Sequence, residues 1–244
     1  LQQVKNRLKL ILQKILGYRN YLFLFAKHKI RTLKKDKKEK DFFAFMNEIP
    51  EQGDILDIGA NIGIMTYHLA VKFPKKTVLA VEPMPSNFVV LKQIVDKYKL
   101  SNVELIPLAV GETKKELDMV LPIDRKVRMQ GLAHVVHDSI QDWNKGEIVT
   151  VSCDTIDHIT GQRKIAGIKM DIENFEYFAL KGATRVLLRD KPVVYLELWN
   201  NENRTNCFKL LEEINYKTYV SVDDKLVLYD PTKHHKQNFI FKVG

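Results

Sequence analysis

From residue 53 onward the chain alternates short apolar runs with stretches of helical periodicity, and this alternation limits the fold more than any other feature of the sequence. Residues 54–58 (DILDI), 77–82 (TVLAVE), 103–109 (VELIPLA), 166–170 (AGIKM) and 192–198 (PVVYLEL) read as strands. Runs with so little polar alternation suit strands buried on both faces. Between them, residues 61–71 read as helix, as do segments carrying Phe88, Leu91, Ile94 and Val95, then Phe175, Phe178, Ala179 and Val186, then Cys207, Leu210, Leu211 and Ile214. Strands that alternate with helices predict an α/β fold, a doubly wound and mostly parallel sheet. Three β-like segments, 216–222, 225–229 and 239–243, close the chain and predict an antiparallel strand at the end of that sheet. Residues 112–160 are less regular, with one strand expected at 148–153.

The 244 residues suit one large domain with an appendage. The boundary lies near residue 40, separating a basic helical extension (1–40) from the main domain (41–244). The net charge of +9 is local: residues 1–40 hold 13 Lys/Arg against two acids, and the remainder holds 26 against 28. Residues 1–30 read as one amphipathic helix, with Leu1, Val4, Leu8, Ile11, Leu12 and Ile15 on one face and Lys5, Arg7, Lys9 and Lys14 on the other. Such a helix either packs across the following domain or a second copy of the chain, giving a homo-oligomer, or makes peripheral contact with an anionic membrane surface. Nucleic acid is not an expected partner, because no aromatic platform or recognition module accompanies the charge. No secretory signal and no uninterrupted spanning run are evident, so a cytoplasmic protein is expected, with a peripheral position at the inner face of the membrane as its variant. Cys153 and Cys207 read as two reduced thiols.

The first strand runs into Asp57-Ile58-Gly59-Ala60-Asn61-Ile62-Gly63. Glycines permit a tight turn and close approach of a ligand to the backbone, and ligands of open α/β sheets bind at the carboxyl ends of the strands. Gly59 and Gly63 are four apart, which misses the G-x-G-x-x-G dinucleotide fingerprint. Glu82 ends the second strand, where a carboxylate can accept both hydroxyls of a cofactor ribose. Taken alone, these residues point to an adenosine ribose without choosing between a nicotinamide and a sulfonium cofactor.

The segments DIGANIG (57–63), VEPMPSNF (81–88) and IKMDIENFEYFALKGA (168–183) together resemble the FkbM family of S-adenosylmethionine-dependent methyltransferases. The resemblance extends over residues 42–243, with VSCDTID (151–157) and PVVYLEL (192–198) fitting the same layout. One departure is Asn174, where the family carries glycine; asparagine adopts positive φ less freely. The resemblance implies a class I methyltransferase fold, Rossmann-like, and O-methylation of a sugar or glycan hydroxyl. It implies that Asp57, Gly59 and Asn61 face the methionine part of the cofactor, with Ala60 and Gly63 in the same turn. Glu82 with Pro83 would hold the ribose, Met84 would lie by the adenine, and Ala109 and Val110 would line the adenine pocket.

On the acceptor side, Asp171 and Glu173 follow a buried strand at the sheet's functional edge, and Glu197 ends another strand at that edge. A hydroxyl acceptor must lose a proton, which a positioned carboxylate or imidazole can take. Asp171 is the first choice of base, and His134 in the irregular insertion is a further candidate. Arg125, Arg128, His137 and Trp143 also fall in that insertion, which could shape a pocket for a small-molecule or glycan acceptor. Asp171, Glu173 and Glu197 are oxygen ligands of the type that Mg²⁺ takes, so a metal is left open. Two other readings stay open: an NAD(P)-dependent oxidoreductase, and a non-enzymatic membrane-associated protein with a degenerate fold of this class.

Overall fold

The computed structural model describes residues 2–124, 126–137, 143–223 and 225–244, with residues 2–8 by backbone alone. Two helices open the chain, α1 (Gln2–Leu16) and α2 (Tyr18–Thr32). They break at Gly17, whose φ of 74° suits glycine, so the single helix expected over 1–30 is two. Two 3-10 turns, Leu33–Lys35 and Lys37–Glu39, lead into α3 (Lys40–Glu48). The alternating part follows as β1 (Asp54–Ile58), α4 (Ile64–Lys72), β2 (Val78–Val81), α5 (Pro85–Tyr98) and β3 (Val103–Ile106). An insertion carries β4 (Ala109–Val110), β5 (Lys115–Asp124), β6 (Val127–Arg128), a 3-10 turn at Gln130–Leu132, β7 (His134–Val135) and β8 (Gly146–Asp154). The chain then runs through α6 (Ile156–Thr160), β9 (Ile165–Met170), α7 (Glu176–Lys181), α8 (Thr184–Asp190), β10 (Val193–Glu197) and α9 (Glu202–Glu213). It closes on β11 (Tyr216–Val222), β12 (Lys225–Leu228) and β13 (Asn238–Val243).

The main sheet has the order β12-β11-β13-β10-β9-β1-β2-β3. Strands β10, β9, β1, β2 and β3 are parallel, and β13 joins antiparallel to β10. This is the α/β sheet with a C-terminal antiparallel strand that the sequence predicts. Its order reverses between β1 and β9, the crevice where ligands of such sheets bind. Successive residues of β1 serve opposite faces. Leu56 and Ile58 pack with α7, α8 and α9 residues such as Leu180, Leu187 and Leu211. Ile55 packs on the other face with Phe42, Phe45 and Leu69 of α3 and α4.

Four differences from the sequence expectation have local causes. The helix expected from 61 starts at 64, because Asn61 (φ 51°) and Gly63 (φ 83°) hold a left-handed turn before it. The helix through Phe175 and Val186 is interrupted at Gly182, where a Cβ would stand 2.1 Å from the Gly111 carbonyl oxygen. Helix α3 went unread behind the charge run, although Phe42, Phe45 and Met46 are buried on one face. The irregular insertion contains a long antiparallel pair, β5 with β8, in register from Lys115/Cys153 to Pro122/Gly146. Its strands are exposed over much of their length, so no strict apolar alternation marks them.

Helix α2 lies across the domain. Tyr21, Leu22, Ala26 and Ile30 are buried with Ile62, Val90 and Ile94, which belong to the turn after β1 and to α5. Among the described residues no helix is long and apolar enough to cross a membrane.

Candidate active site

The turn after β1 is shaped by the strand beside it. Gly59 has φ 71°, and a Cβ there would stand 2.0 Å from the Asp171 carbonyl oxygen. The glycine is therefore required by the backbone that continues β9, and it also lines the same cleft as Glu82. The amides of Gly59 and Ala60 both donate to the Val81 carbonyl at 3.0 Å, which locks the turn to β2. At Gly63 a Cβ would meet Leu91 of α5 at 2.9 Å, so this glycine lets α5 pack close.

Glu82 leaves β2 nearly fully buried and binds the turn directly. Its Oε2 accepts from the Asn61 amide (2.8 Å), and its Oε1 accepts from the Met84 amide (2.9 Å) and Asn87 Nδ2 (3.3 Å). Burial pushes its carboxyl up to about 7 against these bonds. Among the described residues, the buried Oδ1 atoms of Asn61 and Asn87 have no partner, and both residues line a cleft with Glu82. Buried polar atoms are rarely left unanswered, and a ligand rich in hydroxyl and amino donors would answer them.

Asp57 does not reach that cleft, contrary to what the resemblance implies. It is fully buried. Its Oδ2 accepts from Thr66 Oγ1 (2.6 Å), and its Oδ1 stands 3.3 Å from Lys169 Nζ. Lys169 sits within the otherwise apolar β9 and donates to the Gly59 carbonyl (2.9 Å) and the Ile58 carbonyl (3.3 Å). Burial pulls against its charge, but Asp57 and Asp171 outweigh it and hold the ammonium protonated above its usual range. The pair ties β9 to the end of β1 from beneath. Ala60, Gly63 and Met84 likewise stay out of the lining: Ala60 and Met84 are buried in apolar clusters, and Gly63 caps α4.

The acids beyond β9 form one electrostatic group. Burial raises Asp171, with Lys169 opposing and Asp57 adding. Burial, then the Asp171 and Glu197 charges, raise Glu173 to about 9. The Asp171 charge, then burial, raises Glu197 to about 8. One ammonium cannot neutralise so many carboxylates, so protons are retained. Glu173 (φ 54°) and Asn174 (φ 79°) both occupy the left-handed region. Glutamate seldom does so, and such strain collects at functional sites. Asn174 thus adopts a positive φ, which asparagine takes more readily than most residues. Its Oδ1 accepts from Asn201 Nδ2 (2.7 Å). The turn is organised by buried Glu176, whose Oε1 accepts from the Ile172 (3.1 Å) and Asn174 (3.2 Å) amides. Among the described residues no group of three His, Cys, Asp or Glu gathers to hold a metal.

The cleft brings together Gly59, Asn61, Glu82, Pro83, Ala109, Val110, Asp171 and Glu173 among the expected residues. Glu197 lies outside it, in an adjoining groove. His134 also lies outside: it is buried, and its ring nitrogens face the Leu132 carbonyl (2.8 Å) and Asn144 Oδ1 (3.0 Å). Both of its ring nitrogens therefore have partners within the insertion. Arg128 lies over the Tyr18 ring at 5.0 Å and pairs with Glu147, Trp143 is exposed, and Arg125 lies outside the described residues. The insertion instead supplies Met119, Gln130, Gly131, Ala133 and Val135 as one wall of the cleft. Sequence reasoning passed over these, and over Lys169, Thr66 and Glu176. A lysine inside an apolar strand was the one legible signal.

Residues 57–221 match the family model described as the methyltransferase FkbM domain. "Methyltransferase 1" of Beauveria bassiana (strain ARSEF 2860) is 22% identical over 147 residues, covering 54% of this chain and 59% of that protein. The chain thus spans less than two thirds of that relative. The solved methyltransferase FkbM from Methylobacillus flagellatus KT superposes with a TM-score of 0.52 at 19% identity, covering 79% of this chain and 44% of that one. A SAM-dependent O-methyltransferase from Thermotoga maritima gives a TM-score of 0.50 at 16% identity, covering 88% and 70%. Those two structures share the class I fold. With the matched segment running from the glycine turn through β9 and the following Asp171 to β11, the chain belongs to the FkbM methyltransferase domain family.

Proposed function

We propose that the protein is an S-adenosylmethionine-dependent O-methyltransferase acting on a hydroxyl of a sugar or glycan precursor. One observation carries this reading: a single cleft holds the Glu82 carboxyl with the unanswered Asn61 amide oxygen at one side and Asp171 and Glu173 at the other. Glu82 would accept the ribose hydroxyls. Pro83, Leu108, Ala109 and Val110 offer the apolar wall suited to adenine. Gly59 and Asn61 would hold the methionine part, and the excess of carboxyls favours a positively charged ligand. Bound there, the cofactor supplies an electrophilic methyl group on sulfur.

The chain's own contribution is alignment and proton transfer. Asp171 is our choice of base for the acceptor hydroxyl. Lys169 is the leading counterweight to its burial, whereas it ranks behind several raising influences at Glu173. Asp171 follows β9 directly and lines the cleft, where it is placed to take the hydroxyl proton, while Glu173, raised to about 9, keeps its own and can donate a hydrogen bond. Fixed alignment of oxygen with methyl and sulfur supplies much of the acceleration in such reactions.

Calorimetry with S-adenosylhomocysteine and with NAD tests the donor. Binding of the first and not the second is expected, and the converse would hand the assignment to an oxidoreductase. Transfer from labelled donor to a panel of glycans tests the acceptor. Asp171→Ala is expected to lower transfer by at least a hundredfold with S-adenosylhomocysteine affinity nearly unchanged; full activity in that variant would remove Asp171 from the role.

A further inference from the structure

A second cavity opens beside the donor cleft at the same edge of the sheet. It lies between the 3-10 turn at Lys37–Glu39, the start of α3, the end of β10, the start of α9 and the loop 229–238. The two cavities adjoin at a defined point. Met170 and Leu196 are register partners in the parallel pair β9–β10, so the next residues along, Asp171 and Glu197, leave the sheet abreast. Asp171 lines the donor cleft, and Glu197 lines the groove.

The groove is polar and cationic at its mouth. Lys37 and Lys38 are exposed there. Arg204 is fixed across its floor, its Nε donating to the Trp199 carbonyl (3.0 Å) and its Nη2 to the Leu198 carbonyl (2.6 Å). Lys236 reaches Asp41 at 3.4 Å and neutralises it. The remaining lining acids, Glu39 and Glu197, are lifted above the usual carboxylate range, Glu39 chiefly by burial and Glu197 by Asp171. Among the described residues, the buried Oδ1 of Asn238 has no partner and belongs to this groove. It is an acceptor awaiting a donor such as a hydroxyl.

We propose that this groove is the acceptor subsite and that it takes a phosphate-bearing hydroxyl compound, with the phosphate at Lys37 and Lys38 and a hydroxyl turned past Glu197 toward Asp171. The proposal rests on the methyltransferase reading of the donor cleft. The phosphate can belong to a free sugar phosphate or to a lipid-linked one, since lysines read a phosphate as a point charge and not the group it is attached to.

Titration calorimetry on the full chain, saturated with S-adenosylhomocysteine, tests it with three probes: a hexose 1-phosphate, the free hexose, and a polyprenyl-phosphate hexose in neutral detergent micelles. The hexose 1-phosphate is expected to bind at least tenfold more tightly than the hexose. That advantage should be lost in the Lys37→Glu/Lys38→Glu double variant and retained in Lys37→Arg/Lys38→Arg. Tighter binding of the micellar probe than of the free phosphate assigns a lipid-linked source; equal or weaker binding assigns a free one. Equal affinity for hexose and hexose 1-phosphate, or an unchanged advantage in the glutamate variant, would overturn the proposal. S-adenosylhomocysteine titrated alone separates the two readings: its failure to bind removes the donor assignment and the acceptor role with it, while its binding alongside a silent hexose 1-phosphate removes the acceptor subsite only.

Discussion

At the scale of single residues, the site rests on a few buried charges whose partners are dictated by geometry. Lys169 and Asp57 answer each other in a region closed to water. Removing one partner of such a pair leaves the other as an uncompensated buried charge, at a cost of about 3–5 kcal/mol. Lys169→Met should lower the free energy of unfolding in urea by that amount, and the added Asp57→Asn should recover part of it. The raised carboxyls make a pH prediction. Glu176 moves from its ordinary 4.5 to about 7 through burial, and Glu82 does the same. A carboxyl with a raised folded-state pKa contributes stability that is complete below its unfolded pKa and is lost as pH rises through the folded one. At about 1.4 kcal/mol per unit, each contributes on the order of 3 kcal/mol of slope. The melting temperature of the ligand-free protein should therefore fall between pH 5 and pH 8. Glu176→Gln should flatten that fall; a melting temperature rising with pH over this window would contradict the assignment.

At the scale of elements, two backbone turns shape the cleft and place its acids. The turn after β1 demands glycine at 59, because the Asp171 carbonyl occupies the space of a Cβ. Gly59→Ala should destabilise the protein by several kcal/mol, on the order of the largest single-residue effects. It should also weaken S-adenosylhomocysteine binding, since it forces β1 and β9 apart. The turn after β9 is more tolerant. Asn174 has φ 79° and a side-chain bond to Asn201. Asn174→Gly should stay within about 1 kcal/mol, as relief of φ offsets the lost bond, whereas Asn174→Ala should lose about 1–2 kcal/mol. Chemical denaturation of the three proteins measures both differences. The insertion forms a wall of the cleft through Met119 of β5, the 3-10 turn at Gln130–Leu132 and β7, so variation there would alter what the cleft admits without touching the sheet.

At the scale of the whole molecule, the basic N-terminal segment is part of the folded body. Tyr21, Leu22, Ala26 and Ile30 of α2 cover Ile62, Val90 and Ile94, and Ile62 stands in the turn that carries Asn61. Deleting residues 1–32 would expose that apolar patch, and such patches drive association. The shortened protein should elute as aggregates in size-exclusion chromatography and bind S-adenosylhomocysteine at least tenfold more weakly. Unchanged elution and affinity would show that α2 is dispensable to the site.

The sequence alone determined the sheet, its parallel character and the C-terminal antiparallel strand, because buried strands and amphipathic helices write their periods directly into the residues. It also determined the turn at 57–63, Glu82 and Asp171, because motif spacing places them at strand ends whatever the surroundings. Only the tertiary structure decided that Asp57 faces Lys169 and Thr66, that His134 is engaged on both ring nitrogens, and that Glu197 opens on a neighbouring groove. It alone made a cleft wall from weakly patterned residues between Met119 and Val135. The physical reason is the same in each case. Periodicity fixes which face of an element a side chain joins, but its partner is set by which distant element lies opposite, and burial, charge and proton occupancy follow from that partner.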